Sequence, residues 1–135
     1  MSRLPTLFIS HGSPMNGIED TPSSRMWASL GREVPKPRAV LVASAHWETS
    51  VPMLSGSAKP ETIHDFGGFP DALFQVRYPA RGAPELAAHA VELLKRAGIT
   101  AGVNGCRGLD HGAWVPLKWM YPDADVPVVE ISLQP

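Results

Sequence analysis

Among 135 residues the chain holds a single cysteine, Cys106. One thiol excludes an internal disulfide framework and a cysteine-rich zinc module, and it fits a reducing, cytoplasmic setting. Excess charge is also missing: twelve Lys and Arg stand against thirteen Asp and Glu, a formal net charge of -1. That balance leaves no electrostatic footprint for nucleic acid or an anionic membrane, so the expected partner is a small molecule. No apolar run approaches membrane-spanning length, and MSRLPTLFIS lacks the apolar core and small-residue cleavage site of a signal peptide. Familiar catalytic spacings are absent too. There is no G-x-S-x-G elbow, no GxxxxGK[ST] or GxGxxG phosphate loop, and no HExxH, HxxxH or CxxC metal spacing.

What the chain has in quantity is punctuation. Fourteen prolines and twelve glycines divide it into short apolar segments. Leu7, Phe8 and Ile9 read as a brief buried strand, since aromatic and β-branched residues suit a covered pleated surface and the run is too short for a helix. A helix is expected near residues 24–33, capped by Ser23 or Ser24 and stopped by Pro35 and Pro37. RAVLVASAHW, residues 38–47, reads as a strand covered on both faces, and VPMLS, residues 51–55, as another. The passage through IHDFGGFP reads as loop. Residues 83–98 carry helical spacing, with Leu86, Ala90, Leu93 and Ala97 on one stripe, Pro84 in the first turn and Gly98 at the stop. A strand over 99–103, a short helix in GAWVPLKWMYP despite Pro116, and a strand over 126–133 complete the pattern. Interleaved strands and helices predict one α/β domain over residues 1–135, an α/β/α sandwich with a mixed, partly parallel sheet. Its last strand runs into the final residue with no crossover after it, so the sheet reads as incomplete at the C-terminus.

Five histidines remain to be placed. His89 falls on the polar flank of the 83–98 helix and reads as surface. The other four sit at the margins of elements, in HGSP, AHWE, HDFGGFP and DHGAW. His11 and His46 each end an expected strand, and in an open α/β sheet the carboxyl edge is where ligands bind. Two such rings on adjacent strands would lie within metal-bridging distance, and neutral imidazole is a good ligand for Fe(II) or Zn(II). Glu48, Asp65, Asp110 and Glu130 are the candidates for a third donor, and no spacing decides among them. His64 and His111 offer acid–base capacity near neutral pH. Each has an aspartate beside it in sequence, but chain neighbours point apart, so adjacency does not establish a His–Asp hydrogen bond.

Taken in order, ISHGSP, VASAHWET, IHDFGGFP and LDHGAWVPL resemble the class III, LigB-like extradiol aromatic ring-opening dioxygenases, and within them the bacterial and plant DOPA 4,5-dioxygenase branch. The resemblance runs from residue 5 to the end. It implies a non-haem enzyme using Fe(II), with Zn(II) as the other candidate metal, that opens a catechol ring with O2. It implies further that His11 and His46 are metal ligands, that His111 is an active-site histidine contacting or protonating substrate, and that His64 and Asp65 belong to a motif near the pocket. Phe66 and Trp114 are candidate apolar walls of that pocket. The family's remaining ligand and principal acid–base histidine are expected in a C-terminal half that would follow residue 135. A homo-oligomer is compatible with this reading. Two other readings compete with it: a non-catalytic metal-binding or interaction module on the same scaffold, and metal-assisted hydrolysis of an ester or amide.

Overall fold

A computed structural model describes residues 3–135. Its sheet contains β1 (Val40–Glu48), β2 (Met53–Ser55), β3 (Gly102–Asn104) and β4 (Val128–Leu133), in the order β1-β4-β2-β3. β1 and β4 are parallel, β2 and β3 are parallel, and β4 meets β2 antiparallel, which gives the mixed, partly parallel sheet the sequence predicts. Pairing of Val40 with Val128 and of Leu41 with Val129 sorts the side chains between two faces.

Helices pack on both faces of the sheet, though the second leaves part of β1 uncovered. On the first, α1 (Pro22–Glu33) and α4 (His111–Met120) bury Trp27, Leu109, Trp114 and Val128, with Val40 and Val42 packed against them. On the second, Ala87 and Val91 of α3 (Pro84–Arg96) close over Leu54 and Val129. Each fully buried Val or Leu contributes about 1.5–3 kcal/mol, so these two clusters hold the layers together. The arrangement is an α/β/α sandwich. A short helix, α2 (Asp71–Phe74), buries Leu73 in the first core. Among the described residues no helix is long and apolar enough to cross a membrane.

Local chemistry explains where the elements start and stop. α1 begins two residues earlier than its serines suggest: Thr21 caps it, Pro22 opens it, and Ser24 closes a reciprocal capping box back onto Thr21. α3 ends on Gly98 at φ +78°, with Ile99 N–H donating to the Leu94 carbonyl and Gly98 N–H to that of Lys95, the paired bonds of a Schellman stop.

Three expectations need correction. β1 is not covered on both faces: Leu41, Ala43 and Ala45 are exposed, because α3 packs over β2, β3 and β4 instead. The run Leu7–Ile9 forms no strand: it pairs with nothing in the sheet, and Phe8 is 101% exposed. An extended segment becomes a strand only when a neighbour accepts its ladder, and among the described residues none does. The buried stripe of α3 is also rotated by about one residue, roughly 100°, from the expected one. Ala87 and Val91 are inside, Leu86 and Ala90 are half-buried, and Leu93 is exposed.

Candidate metal centre

His11 is placed by the turn that follows it. Gly12 adopts φ +62°, a left-handed conformation that glycine reaches without strain, and Ser13 then caps a 3₁₀ turn over Pro14–Gly17. Asn16 fastens this turn on three sides. Its side-chain amide donates to the His11 carbonyl at 3.2 Å, its side-chain oxygen accepts from Thr21 Oγ1 at 3.0 Å, and its backbone carbonyl accepts from Trp119 Nε1 at 2.7 Å. His46 comes from the last part of β1 and His111 from the first residue of α4.

These three rings converge. Nε2 of His11 lies 2.8 Å from Nε2 of His46, and one nitrogen from each of His11, His46 and His111 falls within 4.8 Å of the others. Ring centroids are 4.9 Å apart for His11 and His46, 4.8 Å for His11 and His111, and 4.0 Å for His46 and His111. Two facing Nε2 atoms are satisfied either by one N–H donating to the other or by a cation taking both lone pairs. An ion about 2.0–2.1 Å from each of two imidazoles at right angles would hold their nitrogens about 2.9 Å apart, so the His11–His46 pair fits a shared ion. Protonation points the same way. Burial, then the neighbouring His111 and His46, hold the His11 imidazole below its ordinary value, which keeps it in the neutral form that binds metals.

His111 is oriented by Asp65. The carboxylate Oδ1 accepts from His111 Nδ1–H at 2.8 Å and from the His111 backbone N–H at 3.1 Å, which fixes the tautomer and leaves the lone pair on Nε2. The His–Asp pair therefore crosses between the two sequence motifs. A short parallel ladder makes the crossing: Ile63 N–H donates to the Leu109 carbonyl and Leu109 N–H to that of Glu61, both at 2.7 Å. Gly108 permits it, because a Cβ there would stand 2.4 Å from the Glu61 carbonyl oxygen.

The remaining predicted residues divide into neighbours of the triad and a layer behind it. Phe66 presents its ring edgewise to His111 at 5.5 Å. His64 stands on the far side of Phe66, at 6.0 Å, with its Nε2 2.8 Å from the Val76 carbonyl. It anchors the loop that carries Asp65 and Phe66 and does not join the other three rings. Trp114 is fully buried, and its indole N–H donates to the Ile63 carbonyl at 2.9 Å, so it supports the same loop from beneath. His89 is exposed on α3, as its spacing predicts.

Of the carboxylates considered as third donors, Glu48 is exposed, Asp65 faces His111, and Asp110 and Glu130 are engaged elsewhere. Asp110 Oδ1 accepts from Ser44 Oγ at 2.7 Å and from Gly112 N–H at 2.9 Å, and its Oδ2 accepts from Arg107 at 2.7 Å. Burial alone would raise the Asp110 carboxyl, but bonds from Glu130, Ser44 and Arg107 outweigh it and hold the group ionised, below the usual range. Glu130, fully buried beside that anion, is pushed up to about 10 and keeps its proton. Ser44 and Arg107 had no sequence signal of their own. Asp110 had one, since an Asp immediately before a helical segment is a capping residue.

An open mixed sheet with three imidazoles gathered where a strand ends defines an α/β protein with a histidine-rich candidate metal centre. Comparison with known proteins is specific. The family described as the catalytic LigB subunit of aromatic ring-opening dioxygenase matches residues 5–135, and the chain belongs to that family. It is 48% identical to the 4,5-DOPA dioxygenase extradiol of Escherichia coli (strain K12) over 132 residues, 98% of this chain and 48% of the relative. Against the 4,5-DOPA dioxygenase extradiol of Beta vulgaris it is again 48% identical, over 96% of this chain and 50% of the relative. The crystal structure of an uncharacterized protein from Escherichia coli K12 superposes with a TM-score of 0.66 at 39% identity, covering 86% of this chain and 42% of the other. The chain thus spans about half the length of the curated relatives it matches.

Proposed function

We propose that this chain forms part of an extradiol aromatic ring-opening dioxygenase that opens a DOPA-like catechol with O2. In this reading Fe(II) is the metal, with Zn(II) as the alternative occupant, and His11 and His46 hold it. The 2.8 Å approach of their Nε2 atoms beside His111, in a chain of the LigB family, carries the reading. The chemistry such an ion supplies is Lewis acidity toward the catechol oxygens and a common location for both reactants.

The chain's own residues do the rest. His111 Nε2, with its lone pair kept free by Asp65, accepts a proton from the catechol, and the Asp65 carboxylate stabilises the imidazolium that results. The same nitrogen can return that proton to oxygen as the ring opens. Phe66 supplies an apolar wall beside His111, and His64 and Trp114 keep the loop bearing Asp65 and Phe66 in register.

The test is a chimera of residues 1–135 with the C-terminal half of the Escherichia coli relative, assayed for oxygen uptake with Fe(II) and DOPA. Iron-dependent uptake with a ring-opened product supports the proposal. An inert, folded chimera, when the intact relative turns over under the same conditions, contradicts it. The histidine cluster by itself fits one further reading, a metal-binding module without turnover. Stoichiometric metal in a chimera that consumes no oxygen would select that reading.

A further inference from the structure

Resting on the metal-centre reading above, we propose that Asp110 is a positioning residue: together with Ser44 it sets the separation and tilt of His46 and His111. Asp110 is wholly buried and hydrogen-bonds to neither ring. Its Oδ1 accepts from Ser44 Oγ at 2.7 Å, and Ser44 Oγ in turn accepts from the backbone N–H of His46 at 3.2 Å. The same Oδ1 caps α4 through Gly112 N–H at 2.9 Å, and the next residue after Asp110 is His111. A single carboxylate oxygen thereby joins the strand that carries one imidazole to the helix that carries the other.

The contact is tight enough to require glycine. A Cβ on Gly112 would lie 2.5 Å from Ser44 Oγ and 2.9 Å from His46 Cδ2, so the first turn of α4 sits directly on β1. The 4.0 Å spacing of the His46 and His111 rings is the consequence. Behind Asp110, Arg107 pairs with Oδ2 at 2.7 Å and lies over the Trp47 ring, 4.8 Å from its centroid. Glu130 Oε2 accepts from the Asp110 backbone N–H at 3.2 Å, and the Glu130 backbone N–H donates to Ser55 Oγ at 2.7 Å, which ties the knot to β2. Buried ionic groups are poor sources of net stability, and apolar residues of like volume often fill such space at no loss. Directional bonds do what apolar packing cannot: they fix the angle between two elements.

The test is Co(II) titration of the 135-residue chain, read by its visible absorption and by Zn(II) competition, in wild type, Asp110→Ala, Asp110→Asn, Ser44→Ala and Val91→Ala. Asp110→Ala is expected to weaken Co(II) binding by about 10–100-fold and to alter the absorption bands. Asp110→Asn keeps an acceptor for Ser44 and Gly112 and recovers most of the affinity, and Ser44→Ala loses several-fold. Val91→Ala, in the opposite core, lowers stability and leaves affinity and bands unchanged. Wild-type affinity in folded Asp110→Ala overturns the proposal, as does a loss in Val91→Ala equal to that in Asp110→Ala. If Asp110→Ala does not fold, unchanged affinity in Ser44→Ala overturns it instead. A wild-type chain that takes up no Co(II) removes the metal-centre reading and this proposal together, whereas binding that ignores Asp110 and Ser44 removes the proposal alone.

Discussion

On one face of β1, Val40 and Val42 pack under the α1 and α4 layer and Ser44 is bonded into the buried knot around Asp110. On the other, Leu41 is 51% exposed and Ala43 and Ala45 are open to solvent. The two faces belong to one strand of nine residues with alternating side chains. They differ in what covers them. α4 presses on the first face closely enough to need Gly112, while α3 packs over β2, β3 and β4 and leaves Leu41, Ala43 and Ala45 uncovered; Trp47, further along β1, is buried with Arg107 over its ring. The covered face holds His46 at a fixed distance from two other imidazoles. The bare face exposes apolar surface, as the N-terminal segment does separately at Leu4, Leu7 and Phe8, and such surface seeks a partner.

The largest expected effects come from breaking the covered face. Replacing His11 or His46 by Ala should weaken Zn(II) or Fe(II) binding by more than about 100-fold, beyond what losing a residue behind the ligands costs, as measured by competition titration. His111→Ala should retain the metal and cut turnover of the chimera by about 10²–10⁴-fold, the usual worth of an acid–base group. Equal loss of metal in His111→Ala would make that ring a third ligand. Asp65→Ala comes next. It frees the His111 tautomer and should lower turnover about 10–100-fold, with metal content unchanged.

Glu130→Gln tests the same face through pH. Glu130 is pushed up to about 10 from 4.5, first by burial and then by Asp110, so the folded state takes up a proton that the unfolded chain releases. Its contribution to stability is complete below 4.5 and declines as pH rises toward 10, with a slope of at most about 1.4 kcal/mol per pH unit. An amide cannot ionise. Urea melts of the metal-free chain should show Glu130→Gln as the more stable form at pH 8 and converging with wild type near pH 4. Parallel curves across that range would refute the protonated assignment. The smallest effect belongs to the bare face: Leu41→Lys should change stability by no more than about 0.5 kcal/mol yet reduce self-association in sedimentation velocity. A large loss of stability would mean that Leu41 is covered.

Much of the fold was legible because strong local signals agree with their surroundings. Pro and Gly bracket β1, α3 and β4, and the continuous Ala/Val/Leu run of β1 marks a strand from composition alone. Leu7–Ile9 misled for a physical reason: its composition suits a strand, but strandness depends on a neighbour that no local pattern reveals. His11 and His46 were readable as a pair from the four ordered motifs; the strand-end argument fails for His11, because residues 7–9 form no strand. The Asp65–His111 bond was not, because it depends on the ladder between residues 61–63 and 109, two segments far apart in the chain. Ser44 and Arg107 were invisible for the same reason, each taking its meaning from Asp110.

Anomalous diffraction from crystals grown with Zn(II) tests the central claim most directly. The account predicts one strong peak about 2.0–2.2 Å from Nε2 of both His11 and His46, with His111 alongside. A peak bound elsewhere, or rings of His11 and His46 turned away from each other around no metal at all, would contradict it.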